Sequence, residues 1–138
     1  MTRLTAGAAT VPIRCARTCY DHLAGHLGVR LTDALVTSGV LHPQPGFGLS
    51  AGGIAWLDAN LAIDATPLLR ARRPVVRSCL DWTERRPHLG GGLGAALCVQ
   101  FFDRTWIRRT GSSRAVELTP AGEQALRDLW NLDLRTVA

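Results

Sequence analysis

Cys19, His22, Cys79 and His88 are the residues of this chain whose types and spacing best suit chemistry. Two thiolates and two imidazoles match the ligand set of a tetrahedral zinc ion. They recur because the second half of the chain repeats the first. Arg17-Thr18-Cys19-Tyr20-Asp21-His22 is echoed by Arg77-Ser78-Cys79-Leu80-Asp81-Trp82, sixty positions later. A six-residue insertion, Trp82 to Pro87, follows in the second copy, and the match resumes at an offset of 66: His22-Leu23 against His88-Leu89, Leu27-Gly28 against Leu93-Gly94. Leu49-Ser50-Ala51-Gly52-Gly53 is matched in turn by Leu118-Thr119-Pro120-Ala121-Gly122. Two copies folded face to face would bring two cysteines, two aspartates and two histidines together.

Several chemistries compete for these residues. As a metal site, Cys19, His22, Cys79 and His88 would be the ligands, with Asp21 and Asp81 as further ligands or orienting the imidazoles. The spacings Cys-x2-His and Cys-x8-His match no common zinc module. The same residues equally suit small buried cysteines and histidines hydrogen-bonded to carboxylates. As a ligand pocket, Asp21, Asp81, Trp82 and Glu84 would supply polar groups and a flat wall. Were the protein an enzyme, Asp21, His22, Asp81, Glu84 and His88 would be its acid–base groups, with Cys79 a candidate nucleophile. The alternative is an Asp–His–Arg network pinning the repeats together, with Arg85 or Arg86 satisfying Glu84. Arg104, Arg108, Arg109 and Arg114 form a cluster fit for phosphates, and Arg70, Arg72, Arg73 and Arg77 form another. Gly90-Gly91-Gly92-Leu93-Gly94 lacks the Gly-Lys-Ser/Thr ending of a phosphate loop, so close backbone approach explains it better.

The elements that position these groups follow from the apolar spacing. Cys19, Leu23, Leu27, Leu31 and Leu35 predict a helix from about Cys15 to Ser38, which would set Cys19 and His22 on one face. His26 falls away from that face, and His42 falls in a loop. Val40–Leu41 and 47–49 predict a small hairpin, Ser50 the cap of a helix to about Asp58, and Thr66-Pro67 the start of a short helix to Arg70. In the second copy Pro87 opens a predicted helix with Leu89, Leu93, Leu97 and Phe101 on one face. Trp106 to Thr110 and Ala115 to Leu118 predict a hairpin, and Thr119-Pro120 starts a last helix to about Asn131. The fold class is α+β, mostly α: two tandem winged-helix-like repeats, each helix, hairpin, helix. Residues 1–12 read as a flexible lead-in, 13–73 as the first repeat and 74–138 as the second.

Composition narrows the classes. The chain has 138 residues, of which 46% are apolar and 20% charged, enough for one core. All sixteen basic residues are arginine and the net charge is +5, which favours anionic partners. Neither a signal peptide nor a membrane span is expected, so the protein reads as cytoplasmic with reduced cysteines. Trp56, Trp106 and Trp130 read as core or dimer-interface residues.

The Cys19–Gly25 and Cys79–Leu89 segments, with Leu118-Thr119-Pro120-Ala121-Gly122, resemble the C-terminal half of a subgroup of ArsR-type bacterial transcription regulators. The resemblance runs over about residues 13 to 130. It implies a winged-helix fold, homodimers and an effector-sensing or dimerisation role, with a metal or small molecule as effector. Members of that family carry an N-terminal helix-turn-helix that reads DNA, whereas only twelve residues precede the matching region here. The expectation is a metal- or effector-sensing module of a regulator, with zinc as the candidate metal and DNA as a weaker partner. The rival is a small free-standing enzyme on the same fold, and a non-enzyme is favoured.

Overall fold

In the computed structural model, which describes residues 16–43, 48–111 and 113–134, the repeated sequence becomes a repeated backbone. The first copy runs β1 (Arg17–Cys19), β2 (His22–Ala24), α1 (Gly25–Thr37) and α2 (Ala51–Leu61), then a connecting helix α3 (Ala65–Arg70). The second runs β3 (Arg77–Leu80), β4 (Pro87–Gly90), α4 (Gly91–Asp103), β5 (Ile107–Arg109), β6 (Val116–Leu118) and α5 (Pro120–Trp130). The strands pair β1-β2, β3-β4 and β5-β6 into three separate antiparallel hairpins. In the first copy the counterpart of β5-β6 is the single bridge between Leu41 and Leu49. The class is α+β, and the expected lead-in 1–12 lies outside the described residues.

Each copy opens on a hairpin, where the apolar spacing predicts helix. The predicted helix from Cys15 starts only at Gly25, and Pro87 begins a strand rather than a helix. A spacing of four is also two strand repeats, so Leu89 and Leu93 keep their apolar phase whether or not the helix has begun. What separates the elements is Gly25 at φ +74° and Gly91 at φ +76°, a left-handed backbone that glycine adopts without a Cβ clash.

The second helices are capped alike. Ser50 accepts from the Gly53 N–H and Thr119 from the Gly122 N–H, and each helix ends on a left-handed residue, Ala62 or Asn131. α2 runs past the expected stop at Asp58 to Leu61. α3 is capped by Asp64, not Thr66: the Asp64 carboxylate accepts from the Thr66 N–H at 2.9 Å, placing Thr66-Pro67 inside the first turn.

Both copies fill one core. Leu23, Leu27, Leu31 and Leu35 meet Leu89, Leu93, Leu97 and Phe101, with Leu57, Leu61 and Leu126 behind them. The joint is also hydrogen-bonded. Thr32 Oγ1 donates to the Gly28 carbonyl at 2.8 Å and accepts the Leu89 N–H at 2.8 Å, tying α1 to β4. β1 docks on the second copy's hairpin through Thr18 N to Arg114 O at 3.0 Å and Val116 N to Ala16 O at 3.2 Å. Trp56 and Trp130 pack at 5.4 Å between ring centroids, and Trp106 meets Phe101 edge-on at 5.1 Å.

Candidate metal centre

A hairpin puts directly opposite residues side by side on one face. In the first hairpin Cys19 lies opposite His22, with Tyr20-Asp21 as the two-residue turn. In the second, Cys79 lies opposite His88. The two dissimilar spacings are therefore one geometry with two loop lengths, the six extra residues lengthening the second loop, Asp81 to Arg86. Cys19 and His22 do share a face, as expected, but as cross-strand partners rather than as helical neighbours.

The hairpins meet so that these four side chains converge. One donor atom from each of Cys19, His22, Cys79 and His88 lies within 4.8 Å of all the others. The His22 and His88 rings face each other, Nε2 to Nε2, at 3.0 Å. Behind them, His22 Nδ1 meets Asp21 Oδ1 at 3.3 Å and His88 Nδ1 meets Asp81 Oδ2 at 3.0 Å. A carboxylate behind Nδ1 holds the proton there and leaves the Nε2 lone pair free. The two Nε2 atoms turned toward each other can share one hydrogen bond or serve as two donors to one metal ion. In a tetrahedral zinc site two ring nitrogens lie about 3.3 Å apart and two sulfurs about 3.8 Å. The convergence is on that scale.

Glycines make the approach possible, and reciprocally so. A Cβ on Gly28 would fall 2.5 Å from the Leu23 carbonyl oxygen and 3.6 Å from His88 Cβ. One on Gly94, the matching residue, would fall 2.7 Å from the Leu89 oxygen and 3.2 Å from His22 Cβ. Each histidine thus lies over the other copy's helix glycine. A Cβ on Gly90 would stand 3.1 Å from His22 Cε1. The glycine run 90–94 serves close packing, as its sequence context suggests.

The two carboxylates have unlike surroundings. Asp81 is fully buried. Its Oδ1 accepts from the Thr83 N–H and hydroxyl and the Glu84 N–H at 2.7–3.0 Å. Its Oδ2 accepts from Gly25 N at 2.6 Å and His88 Nδ1, and lies 3.2 Å from the buried Arg17 guanidinium. Burial alone would raise the Asp81 pKa, but the Thr83, Gly25 and Glu84 hydrogen bonds and the Arg17 charge outweigh it and hold it well below the usual carboxylate range. With both oxygens saturated, Asp81 is placed to orient His88 rather than to accept a substrate proton. Asp21 is 34% exposed and held by Arg73, Nη1 to Oδ2 at 2.6 Å and Nη2 to Oδ1 at 3.0 Å, which lowers its pKa.

Burial, reinforced by the neighbouring His22, holds His88 below the ordinary imidazole value, so the ring is neutral and ligand-competent at neutral pH. Burial and the adjacent Cys19 thiol raise Cys79. The histidines lie at the floor, both buried, while Cys19 and Cys79 are half-buried.

The other expected groups are dispersed. Glu84 meets His26, 3.4 Å away, rather than Arg85 or Arg86; Arg86 pairs with Asp33 at 2.6 Å. His26, set aside on helical phase, is thereby joined to the second hairpin's loop. Trp82 is 60% exposed under the Arg17 guanidinium, 4.7 Å from its ring centroid. Two surface grooves of about 280 Å³ lie elsewhere, one lined by Arg30, Asp33, Thr37 and Trp130, the other by Leu68, Arg73, Gly92 and Val99. Asp21, Asp81, Trp82 and Glu84 line neither. Of the hairpin arginines, Arg108 pairs with Glu117, Arg104 bonds Gln100 and stacks on Trp106, Arg109 stacks on Phe102, and Arg114 is exposed.

Sequence reasoning missed Arg17, Thr32 and Thr83, and gave Arg73 to an arginine cluster rather than to Asp21. Arg17 carried a faint signal as the repeat partner of Arg77. Arg77, however, is exposed, so repetition alone did not mark Arg17 as buried.

No family model matches the chain, and no solved structure does. Over 120 residues it is 38% identical to the "Uncharacterized HTH-type transcriptional regulator YdfF" of Bacillus subtilis (strain 168), covering 86% of this chain and 53% of that protein. The chain spans about half the length of this relative. No helix among the described residues is long and apolar enough to cross a membrane. Most of this chain is thus similar to about half of a protein named as a transcriptional regulator.

Proposed function

We propose that the chain is the metal-sensing half of an ArsR-like transcription regulator. In this reading two winged-helix-like units, 13–73 and 74–138, are joined by one zinc ion on Cys19, His22, Cys79 and His88. The observation that carries the proposal is the convergence of four donor atoms within 4.8 Å, each imidazole backed by its own carboxylate. Half the ligands come from each repeat, so binding free energy would act on how the repeats dock. In a homodimeric cytoplasmic regulator, that docking would bias the DNA-reading parts. The exposed Arg108 and Arg114 would contact phosphate, with Arg104 and Arg109 beside them, adding affinity without sequence reading. The similarity to an HTH-type regulator supports the regulatory role.

The test is metal content. Reduced protein purified without chelator is expected to carry one zinc per chain by native mass spectrometry, with the ion lost in Cys79→Ser and in His88→Ala. Protein that neither carries zinc nor takes it up when titrated would refute the proposal.

A further inference from the structure

We infer that Cys19 and Cys79 are a peroxide-oxidisable thiol pair that closes to a disulfide across the two hairpins and releases the metal. The inference extends the metal reading above to the regulation of that site. It rests first on placement. The two sulfurs come from different strands, β1 and β3, yet lie within 4.8 Å of each other. A covalent S–S bond is about 2.05 Å long, so closure needs a shift of no more than about 3 Å in side chains at the end of short hairpins. Exposure is the second ground. Cys19 and Cys79 are half-buried, whereas His22 and His88 beneath them are closed off. A small oxidant therefore reaches the sulfur side of the site first. Third, the remaining described cysteine does not compete: Cys98 is 5% exposed on α4, closed to a small oxidant.

The chemistry balances with hydrogen peroxide as the named oxidant. One thiolate attacks a peroxide oxygen, the O–O bond breaks, and a sulfenic acid forms with release of water after protonation. The second thiolate attacks that sulfur, the S–O bond breaks, and the hydroxide leaves as a second water. Two thiolates give up two electrons, solvent supplies two protons, and one peroxide becomes two waters. The disulfide sulfurs no longer carry thiolate charge, so two of the four ligands are lost and zinc leaves the two imidazoles. A thiol reductant reverses the step by exchange.

The sequence allows a clean test. Cleavage after arginine puts Cys15 in peptide 15–17, Cys19 in 18–30, Cys79 in 78–85 and Cys98 in 86–104. The whole zinc-loaded chain is treated with one equivalent of hydrogen peroxide, then alkylated and digested without reductant. Expected is a cross-linked peptide joining 18–30 to 78–85, with free zinc appearing in step, and recovery of both on reduction. In Cys79→Ser the link is absent, and Cys19 is trapped as sulfenic acid by a diketone probe. Cys98→Ser forms the link like the parent. A link from Cys19 to peptide 15–17 or 86–104 instead, or free alkylated Cys19 and Cys79 after oxidation, would overturn the inference. Should the reduced chain prove metal-free while the 18–30 to 78–85 link still forms, the metal reading fails and the thiol pair stands.

Discussion

Asp21 and Asp81 occupy the same place in the two copies, and the structure predicts that replacing them has unequal effects on stability. Asp81→Asn keeps the shape but turns one acceptor oxygen into an NH2 group facing donors: Gly25, His88 and Arg17 on one side, or Thr83 and Glu84 on the other. It also takes the carboxylate from the fully buried Arg17. Breaking a buried ion pair costs about 3–5 kcal/mol. Asp21→Asn breaks a pair whose side chains are 34% and 40% exposed, where water already screens the charges. Such pairs contribute roughly 0–1 kcal/mol. The gap between the variants is then about 3 kcal/mol. Urea unfolding of reduced, chelator-treated protein, followed by tryptophan fluorescence, should resolve it. With a slope of about 1–3 kcal/mol per molar, the midpoints should lie roughly 1–3 M apart. Zinc affinity should behave differently, because each carboxylate backs one imidazole, and both variants should lose about 10–100-fold. Equal urea midpoints for the two variants would refute the reasoning, because the buried network would then not be holding the copies together.

Glycine replacements separate packing from conformational freedom. Gly52 lies in α2, and a Cβ added there would meet nothing within 4 Å, so Gly52→Ala should raise stability by about 0.5–1 kcal/mol in thermal unfolding. Gly94→Ala, with backbone oxygen at 2.7 Å and His22 Cβ at 3.2 Å, should instead destabilise by about 1–3 kcal/mol and weaken zinc uptake. The Cys98 thiol, pushed up to about 11 by burial, stabilises the fold as long as unfolded thiols stay protonated. That contribution is lost as pH rises from about 9 toward 11, so alkaline pH should narrow the stability gap between the parent and Cys98→Ala by about 2 kcal/mol at pH 10.5. A gap that is constant with pH in urea titrations would contradict the assignment.

The repeat, the α+β class and the cysteine–histidine pairing were legible because they rest on residue identity and offset. The hairpins at the head of each copy were not. Cys19, Leu23 and Leu27 satisfy a four-residue spacing that a strand pair followed by a helix also produces, and nothing in the apolar pattern marks Gly25 or Gly91 as left-handed. The change of offset from 60 to 66 was the better clue. An insertion between paired residues is tolerated in a hairpin loop and would rotate a helix face away. The roles of Arg17 and Arg73 stayed hidden for another reason: their partners, Asp81 and Asp21, are distant in sequence, and tertiary packing alone decides which arginine meets which aspartate.

Folding a repeat about an approximate twofold relation brings like against like. His88 sits over Gly28 as His22 sits over Gly94, so imidazole meets imidazole and thiol meets thiol. Like groups in contact must share a hydrogen bond or a common ion, and the two imidazoles stand at 3.0 Å. Neither carboxylate can serve, since each stands behind its ring. Arg17 and Arg73 cannot either, since each meets its aspartate away from the axis. A metal ion bound there would satisfy both copies at once. Off the axis the symmetry fails, with Asp81 saturated and buried and Asp21 tied at the surface to Arg73. The carboxylate behind His88 is therefore fixed inside the core, and the one behind His22 stands at the surface, while both imidazoles are buried.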